Sequence, residues 1–559
     1  MLQLAGELGV EYIFTNLGSD HPAFIEAFAA LDEAGAAMPR VMVCPHEMTA
    51  LSAAHGYAMA TRRPQMVLVH VDVGTQNLGC SIHNAARSRV PAIIVAGLSP
   101  VTIDGGRAGF RTEYIHYTQD SPRQHEIGGQ YMKWSYELRA GEMAEQVFLR
   151  AMQLAQAEPQ GPVYLTGARE VWEEPAGPPR SDPASWSPPK LGTLSADDLR
   201  LLHGVMQGAR RPLIVTSYLG RVPESVGVLV DISEALDLPV LEVSPQYMNF
   251  PGDHPHHAGY RRNAHIAEAD VLLMLDVDVP WLFSNTRPAE GVRCFHIDVD
   301  PIKPDIGFWH FPAERSWCAD SAAVLQQWRE LVRHQPPPRS LPRQAWVERI
   351  RETRGLPVPA SRADGVIDEH DLSRAIEALL DDQSVVVVEA PTLTERLLSA
   401  LKMHRPGSYF ANGGSGLGWA INAAIGIKLA KPQADVITVV GDGSYLFGVP
   451  SSAFWVAQTY GAPILTIIHA NSGWHAPKRS TLLVHPEGTA RRLDRFWVPA
   501  GAGVRHADIA AAAGGAGAFE VRQRSDLLPT LKEALAMVRS GKSAVVSVAT
   551  HPVSKQVLG

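Results

Sequence analysis

Two glycine-containing turns, one built on an acid and one on an asparagine, carry the clearest chemistry in this sequence. In Val436–Gly448, VITVVGDGSYLFG, a β-branched run stops at Gly441-Asp442-Gly443 and Ser444, and a helical pattern follows. Glycines on both sides of an acid allow a tight turn and a close backbone approach, and the free N–H groups of a helix start attract an anion. A carboxylate beside a phosphate repels it unless a divalent cation lies between them. Asp442 therefore reads as a ligand of Mg²⁺ that bridges to a diphosphate. A second apolar run, Ile464–Ile468, ends in His469-Ala470-Asn471-Ser472-Gly473-Trp474. The Asn471 amide oxygen and the Gly473 carbonyl are hard donors of the kind Mg²⁺ takes. Taken singly, Asp-Gly and Asn-x-Gly are also ordinary turn chemistry.

A third candidate is Glu47, in Val43-Cys44-Pro45-His46-Glu47-Met48, an acid among apolar residues just before a helical stretch. Buried, it suits a proton relay; exposed, it is an acid favoured by the helix dipole. The glycine-rich run Ala411-Asn412-Gly413-Gly414-Ser415-Gly416-Leu417-Gly418-Trp419 is no hydrolase elbow, because Leu417 stands at the final glycine position of G-x-S-x-G. It also lacks the spaced acid of a dinucleotide-binding loop. Gln119 and Asp120, His70 at a strand end, and His116, Trp474 and His475 are polar or aromatic candidates to face a substrate. The cluster Asp253-His254-Pro255-His256-His257 invites a metal reading, but its proline-rich setting predicts an exposed loop.

The elements that must position these residues are strands and helices in alternation. Gln65–Val71 and Pro91–Ala96 read as buried strands, with a helix over Thr49–Thr61 before the first. Pro212–Thr216, Val271–Leu275 and Cys294–Ile297 follow in the middle of the chain. Ser384–Val388, Val436–Val440, Ile464–Ile468 and Ala544–Val548 are the strands of the last part. Continuous apolar strands between helices predict an α/β protein of doubly wound parallel sheets, whose ligands gather at the carboxyl ends of the strands. Proline-rich breaks at Glu173–Leu191 and His334–Pro342 divide the 559 residues into three domains, 1–172, 192–333 and 343–559. With 45% apolar and 19% charged residues the chain forms cores, and its net charge of −8 is a poor match to nucleic acid. Four scattered cysteines exclude a disulfide framework, and no signal peptide or membrane span is read, so a cytoplasmic enzyme is expected.

Two of these features resemble a known family when taken together. Gly441-Asp442-Gly443, then 27 residues (Ser444 to Ala470), then Asn471-Ser472-Gly473-Trp474 is similar to the fingerprint of thiamine diphosphate (ThDP) enzymes. The interval is slightly longer than usual there, and the usual Asn-Asn is Ala470-Asn471. His46-Glu47, followed by Ala53-Ala54-His55-Gly56-Tyr57-Ala58 and by Val73-Gly74-Thr75-Gln76-Asn77, resembles the H-E…A-x-G-Y-A…G-P-G-x-x-N run of the acetolactate-synthase-like branch. The resemblance implies a pyrimidine-binding domain, a central Rossmann-like domain and a diphosphate-binding domain. It makes Glu47 the acid that bonds N1′ of the aminopyrimidine, and gives Mg²⁺ the ligands Asp442, Asn471 and Gly473. Leu417 becomes the apolar prop of the bent cofactor, with Thr392, Ser415, Gly443, Ser444 and Trp474 also around it. Gln119 and Asp120 resemble the family's F-Q-E segment, so Gln119 and His70 join Glu47 as expected catalytic residues.

The same resemblance implies C–C bond cleavage or formation on a 2-oxo acid or related carbonyl compound. It also implies a dimer or tetramer in which Glu47 and the metal loop of one site come from different subunits. Two segments depart from true acetolactate synthases: Val388-Glu389-Ala390-Pro391-Thr392-Leu393 and Asp276-Val277-Asp278-Val279-Pro280-Trp281. These weigh against pyruvate-plus-pyruvate chemistry and against FAD. The alternatives are a ThDP lyase of a 2-hydroxyacyl-CoA or acyloin, a non-catalytic regulatory or assembly protein of the same fold, and a nicotinamide dehydrogenase.

Overall fold

A computed structural model describes residues 1–177, 181–334, 341–356, 365–499 and 503–554. Pro178, Pro179 and Pro336 to Pro338 of the two breaks lie outside the described residues. The strands are β1 (Tyr12–Asn16), β2 (Arg40–Val43), β3 (Gln65–Val69), β4 (Ala92–Leu98), β5 (Trp134–Leu138) and β6 (Pro162–Ala168) in the first sheet. The second holds β7 (Pro212–Thr216), β8 (Val240–Glu242), β9 (Val271–Leu275), β10 (Arg293–Asp298) and β11 (Arg315–Cys318). The third holds β12 (Ser384–Glu389), β13 (Tyr409–Ala411), β14 (Asp435–Gly441), β15 (Leu465–Ala470), β16 (Gly517–Val521) and β17 (Ala544–Ala549). Their orders are β2-β1-β3-β4-β6-β5, β11-β10-β9-β7-β8 and β13-β12-β14-β15-β17-β16. The ladders run parallel, as the expected fold class requires.

The central strands are the apolar runs legible in the sequence. Every residue of β3, β7, β9 and β12 is buried, because helices cover both faces. Gln65–Val71 was expected to be extended throughout, but β3 stops at Val69 and the helix Val71–Asn77 begins beyond His70. Edge strands such as β5 and β16 carry exposed polar residues and show no comparable run.

The described chain forms two compact units. One comprises Met1–Pro189, Val387–Pro391 and Asn412–Gly559; the other comprises Lys190–Val386 and Thr392–Ala411. The expected opening of the last domain at 343 is therefore displaced. The helix Leu341–Thr353 packs on the second sheet: Trp346 and Ile350 are buried beside Leu213 and Leu272. The Trp346 indole donates to the Pro212 carbonyl at 2.9 Å, and the Arg343 guanidinium to the carbonyls of Met206, Ala209 and Leu236. Proline marks a break in local structure, and here a helix follows the break and returns to the sheet it came from.

Within the second unit, the residues after β7, β9 and β10 meet in a buried polar cluster. The Lys303 ammonium, shielded from solvent, donates to the Tyr218 hydroxyl at 2.7 Å and to Asp298 Oδ2 at 2.6 Å. The N–H groups of Ser217 and Tyr218 both donate to the Asp276 carbonyl, tying the carboxyl ends of β7 and β9.

Candidate active site

β14 and β15 are paired so that Gly441 lies opposite His469, which brings their carboxyl-end turns together. Asp442, 2% exposed, opens the helix Asp442–Phe447. Its Oδ1 accepts from the Gly443 N–H at 2.8 Å and its Oδ2 from the Gly473 N–H at 3.2 Å. That same Gly473 N–H lies 3.2 Å from the Asn471 amide oxygen, so the expected pair of metal-ligating side chains converges. Burial pushes the Asp442 carboxyl up to about 6, against the pull of these N–H groups. A hard cation between Asp442 and Asn471 would offset that loss of hydration, which fits Mg²⁺ and a diphosphate at the helix start. Among the described residues no three His, Cys, Asp or Glu gather as a metal site, so softer metals find no cluster. Gly443 is required for space: a Cβ there would lie 2.0 Å from the Trp474 ring, which covers this turn.

Glu47 begins the helix Glu47–Thr61 after His46, whose ring Nδ1 accepts from the Met48 N–H. The carboxylate is 5% exposed and both oxygens are held. Asn16 donates to Oε1 at 2.9 Å and Asn77 to Oε2 at 3.0 Å. In the next helix, Gly79–Arg87, Cys80 and Asn84 meet the glycine-rich loop. The Cys80 thiol lies 3.9 Å from the Leu417 carbonyl, and the Asn84 amide bonds both the N–H and the carbonyl of Gly416. Ser415 is exposed in the left-handed region at φ +56°, its N–H capped by the Asn412 side chain at 2.6 Å.

Glu389, at the end of β12, is a site residue that sequence reading noted only as a departure from acetolactate synthase. It is buried and accepts from the N–H groups of Gly418 and Ala420, each at 2.7 Å, and from the Ser444 hydroxyl. Burial pushes its carboxyl up to about 7. One side chain thus ties the Leu417 loop to the Asp442 turn. The whole arrangement rests on the helix Glu47–Thr61 crossing the helix Ala420–Ala430 at very short range. A Cβ on Gly56 would lie 2.1 Å from the Ala423 carbonyl oxygen, and one on Gly426 1.9 Å from that of Ala53.

A polar group stands at the carboxyl ends of β1, β3 and β4. His70 Nε2 is 3.0 Å from the Gln119 side-chain oxygen, joining two residues expected to be catalytic. His116 is buried, with Nε2 3.4 Å from the Ser19 hydroxyl. Asp120 instead pairs with Arg111 at the surface. Asn16, Ser19 and Asp20 were missed because β1 is a short run ending in Thr-Asn; the rule to search beyond strand ends would have found them had β1 been recognised. Thr392 stands in the other compact unit, half-buried in the turn after β12.

The histidine cluster does not form the exposed loop expected of it. His257 is buried against Glu242 at 3.0 Å, His254 bonds Glu234, and His256 bonds Ser233. Each ring serves local packing.

Two family profiles match. Residues 1–149 fit "Thiamine pyrophosphate enzyme, N-terminal TPP binding domain" and residues 393–548 fit the C-terminal TPP binding domain. Benzoylformate decarboxylase of Pseudomonas aeruginosa is 26% identical over 482 residues, 84% of either chain. Acetolactate synthase isozyme 1 large subunit of Escherichia coli is 25% identical over 74% of this chain and 72% of its own. The solved thiamine diphosphate-dependent 4-hydroxybenzoylformate decarboxylase of Rhodococcus jostii shares the fold, with a TM-score of 0.79, 22% identity and 98% of each chain covered. With both cofactor-binding domains matched over more than half its length, and with Glu47 and the Asp442–Asn471 pair set in those domains, the chain belongs to the thiamine pyrophosphate enzymes.

Proposed function

We propose that this protein is a ThDP- and Mg²⁺-dependent decarboxylase or carboligase that cleaves a 2-oxo acid beside its carbonyl group. The observation that carries this reading is that the chain holds both halves of such a site, a buried Glu47 bonded at both oxygens and the converging oxygens of Asp442 and Asn471. Bound there, the thiazolium ring of ThDP supplies the electron sink that lets an acyl carbon part from carbon dioxide. Asp442, Asn471 and the Gly473 carbonyl would hold the metal, and Gly443, Ser444 and Trp474 would line the diphosphate side. Ser415 and Leu417 would border the ring system. The carboxyl oxygens of Glu47 are fixed in place by two amides that cannot themselves titrate. His70 and Gln119 present a hydrogen-bonded pair that can bind the substrate's polar groups and deliver a proton. The names of the relatives, benzoylformate decarboxylase and acetolactate synthase, support a 2-oxo acid as substrate.

Titration of metal-stripped protein with ThDP, with and without Mg²⁺, tests the cofactor, and carbon dioxide release from benzoylformate and pyruvate tests the reaction. Asp442→Ala should weaken Mg²⁺-dependent ThDP binding by roughly 100-fold, since even outer partners of a metal ligand are worth about 10–100-fold. Affinity equal to wild type would place the metal elsewhere.

The assembly proposed is a cytoplasmic dimer or tetramer with its sites at the subunit interface. Leu483, Val484 and Trp497, exposed beyond the metal loop, are what a second copy would cover. Among the described residues no helix is long and apolar enough to cross a membrane. Mixing Glu47→Gln chains with Asp442→Ala chains should restore activity, because a site shared between copies regains one intact pair. A mixture as inactive as its parts would show that each chain carries its own site.

A further inference from the structure

Asp20 is a buried acid that the proposed chemistry leaves unused, and its surroundings are built around it. Its Oδ1 lies 2.5 Å from His70 Nδ1. Its Oδ2 accepts from the N–H of Val71 at 3.1 Å and of Gly97 at 3.0 Å. Asp20 thereby ties the turn after β1 to the carboxyl ends of β3 and β4. Two glycines make the space. A Cβ on Gly18 would lie 2.1 Å from His70 Nδ1, and one on Gly97 2.1 Å from Asp20 Oδ2. Val71, a β-branched residue, sits at φ +26°, a strained conformation held by its N–H bond to Asp20.

We propose that Asp20 is a positioning residue that locks the His70 ring with Nδ1 inward and Nε2 toward Gln119, so that His70 serves as a proton donor to the substrate. The inference rests on the reading of His70 as a substrate-facing acid. It follows from the acceptors on both sides of the ring. Nδ1 faces a carboxylate oxygen and Nε2 an amide oxygen, so both nitrogens carry hydrogens in this arrangement. When Nε2 gives up its proton, rotation of the Gln119 amide turns its NH₂ toward the bare nitrogen, and the contact survives the transfer. Asp20 stays ionised: burial works against its charge, but the bond from His70, the charges of His21 and His70 and the Val71 N–H prevail and hold its carboxyl below the usual range. Burial likewise opposes a charge on His70, and Asp20 outweighs it, helped by Gln119 and by Asp72, so the imidazole is raised above its ordinary value. The other titratable groups nearby are His21, against Asp20, and His116, across Ser19.

The sign follows. His70 keeps its proton to higher pH than a free imidazole and loses it as pH rises through that raised value. Asp20→Asn removes the carboxylate, so the alkaline limb of kcat/KM should move down by about one pH unit or more, a tenfold loss per unit above the new limb. Activity near pH 5.5 should change far less. A purely structural Asp20 would instead lower activity equally at every pH and leave the limb in place, which would overturn the proposal. Nitrogen-15 NMR of the histidines, with the His70 signal identified by its loss in His70→Gln, reads the ring without turnover. In the wild-type protein His70 should titrate above ordinary histidine with Nδ1 protonated throughout, and in Asp20→Asn its midpoint should fall. A wild-type midpoint at or below the ordinary value overturns the proposal even if the variant does not fold. If 2-oxo acids are not turned over while the midpoint still shifts, the functional reading fails and the positioning role stands.

Discussion

Glu47→Gln should leave Mg²⁺-dependent ThDP binding nearly intact and lower turnover by roughly 10²–10⁴-fold, the range that one positioned acid or base contributes. The carboxylate is held by two donors, Asn16 Nδ2 on one oxygen and Asn77 Nδ2 on the other. Glutamine keeps the volume and one acceptor but sets an NH₂ against an asparagine NH₂. Rotation of that asparagine's amide restores the bond, so the pocket survives with a stability cost of about 1 kcal/mol. The carboxyl group does not survive, and the amide in its place neither gains nor loses a proton near neutral pH. Calorimetry with ThDP and Mg²⁺, set beside hydrogen–deuterium exchange at C2 of the bound cofactor, separates the two effects. Wild-type exchange in the variant would remove Glu47 from the chemistry. A loss of binding in step with activity would make it a structural cap of its helix.

Gly426→Ala, a single methyl group far from any reacting atom, should be more damaging to the fold than any active-site change above. Its Cβ would lie 1.9 Å from the Ala53 carbonyl oxygen and 2.7 Å from the Tyr57 nitrogen, both backbone atoms that cannot swing aside. The helices Glu47–Thr61 and Ala420–Ala430 must then separate, at a cost of about 3 kcal/mol or more. Because Glu47 opens the first helix and the Leu417 loop leads into the second, ThDP binding should weaken in parallel. Gly204→Ala is the control. It sits exposed inside the helix Ala196–Gly208 with open space around it, and should raise stability by about 0.5–1 kcal/mol. Thermal unfolding of the two variants should move in opposite directions; a Gly426→Ala protein that unfolds with wild type would mean that the crossing is loose.

What could be read in advance divides along physical lines. Val385 to Val388 and Ile437 to Val440 announced central strands because both faces are buried, and the turns beyond them announced Asp442. Asn471 emerged because its spacing and its glycine recur as a pair. Glu389 and Asp20 gave no such signal. Each acts through one or two hydrogen bonds to a partner far away in sequence, and a buried acid or amide looks like an exposed one until the fold encloses it. The proline run before Leu341 suggested a domain boundary, yet the apolar face of Trp346, Val347 and Ile350 favoured the second sheet.

In doubly wound sheets a nucleotide's phosphates enter the cleft where strand order reverses. In the second unit the strand order reverses between β7 and β9, and bonded protein groups stand at the carboxyl ends of both strands. Ser217 and Tyr218 are laced to Asp276, and the Lys303 ammonium is bonded to Asp298 and to the Tyr218 hydroxyl. The carboxyl ends of β7, β9 and β10 are thus laced together by their own groups, a strut that stiffens the sheet where its strand order reverses.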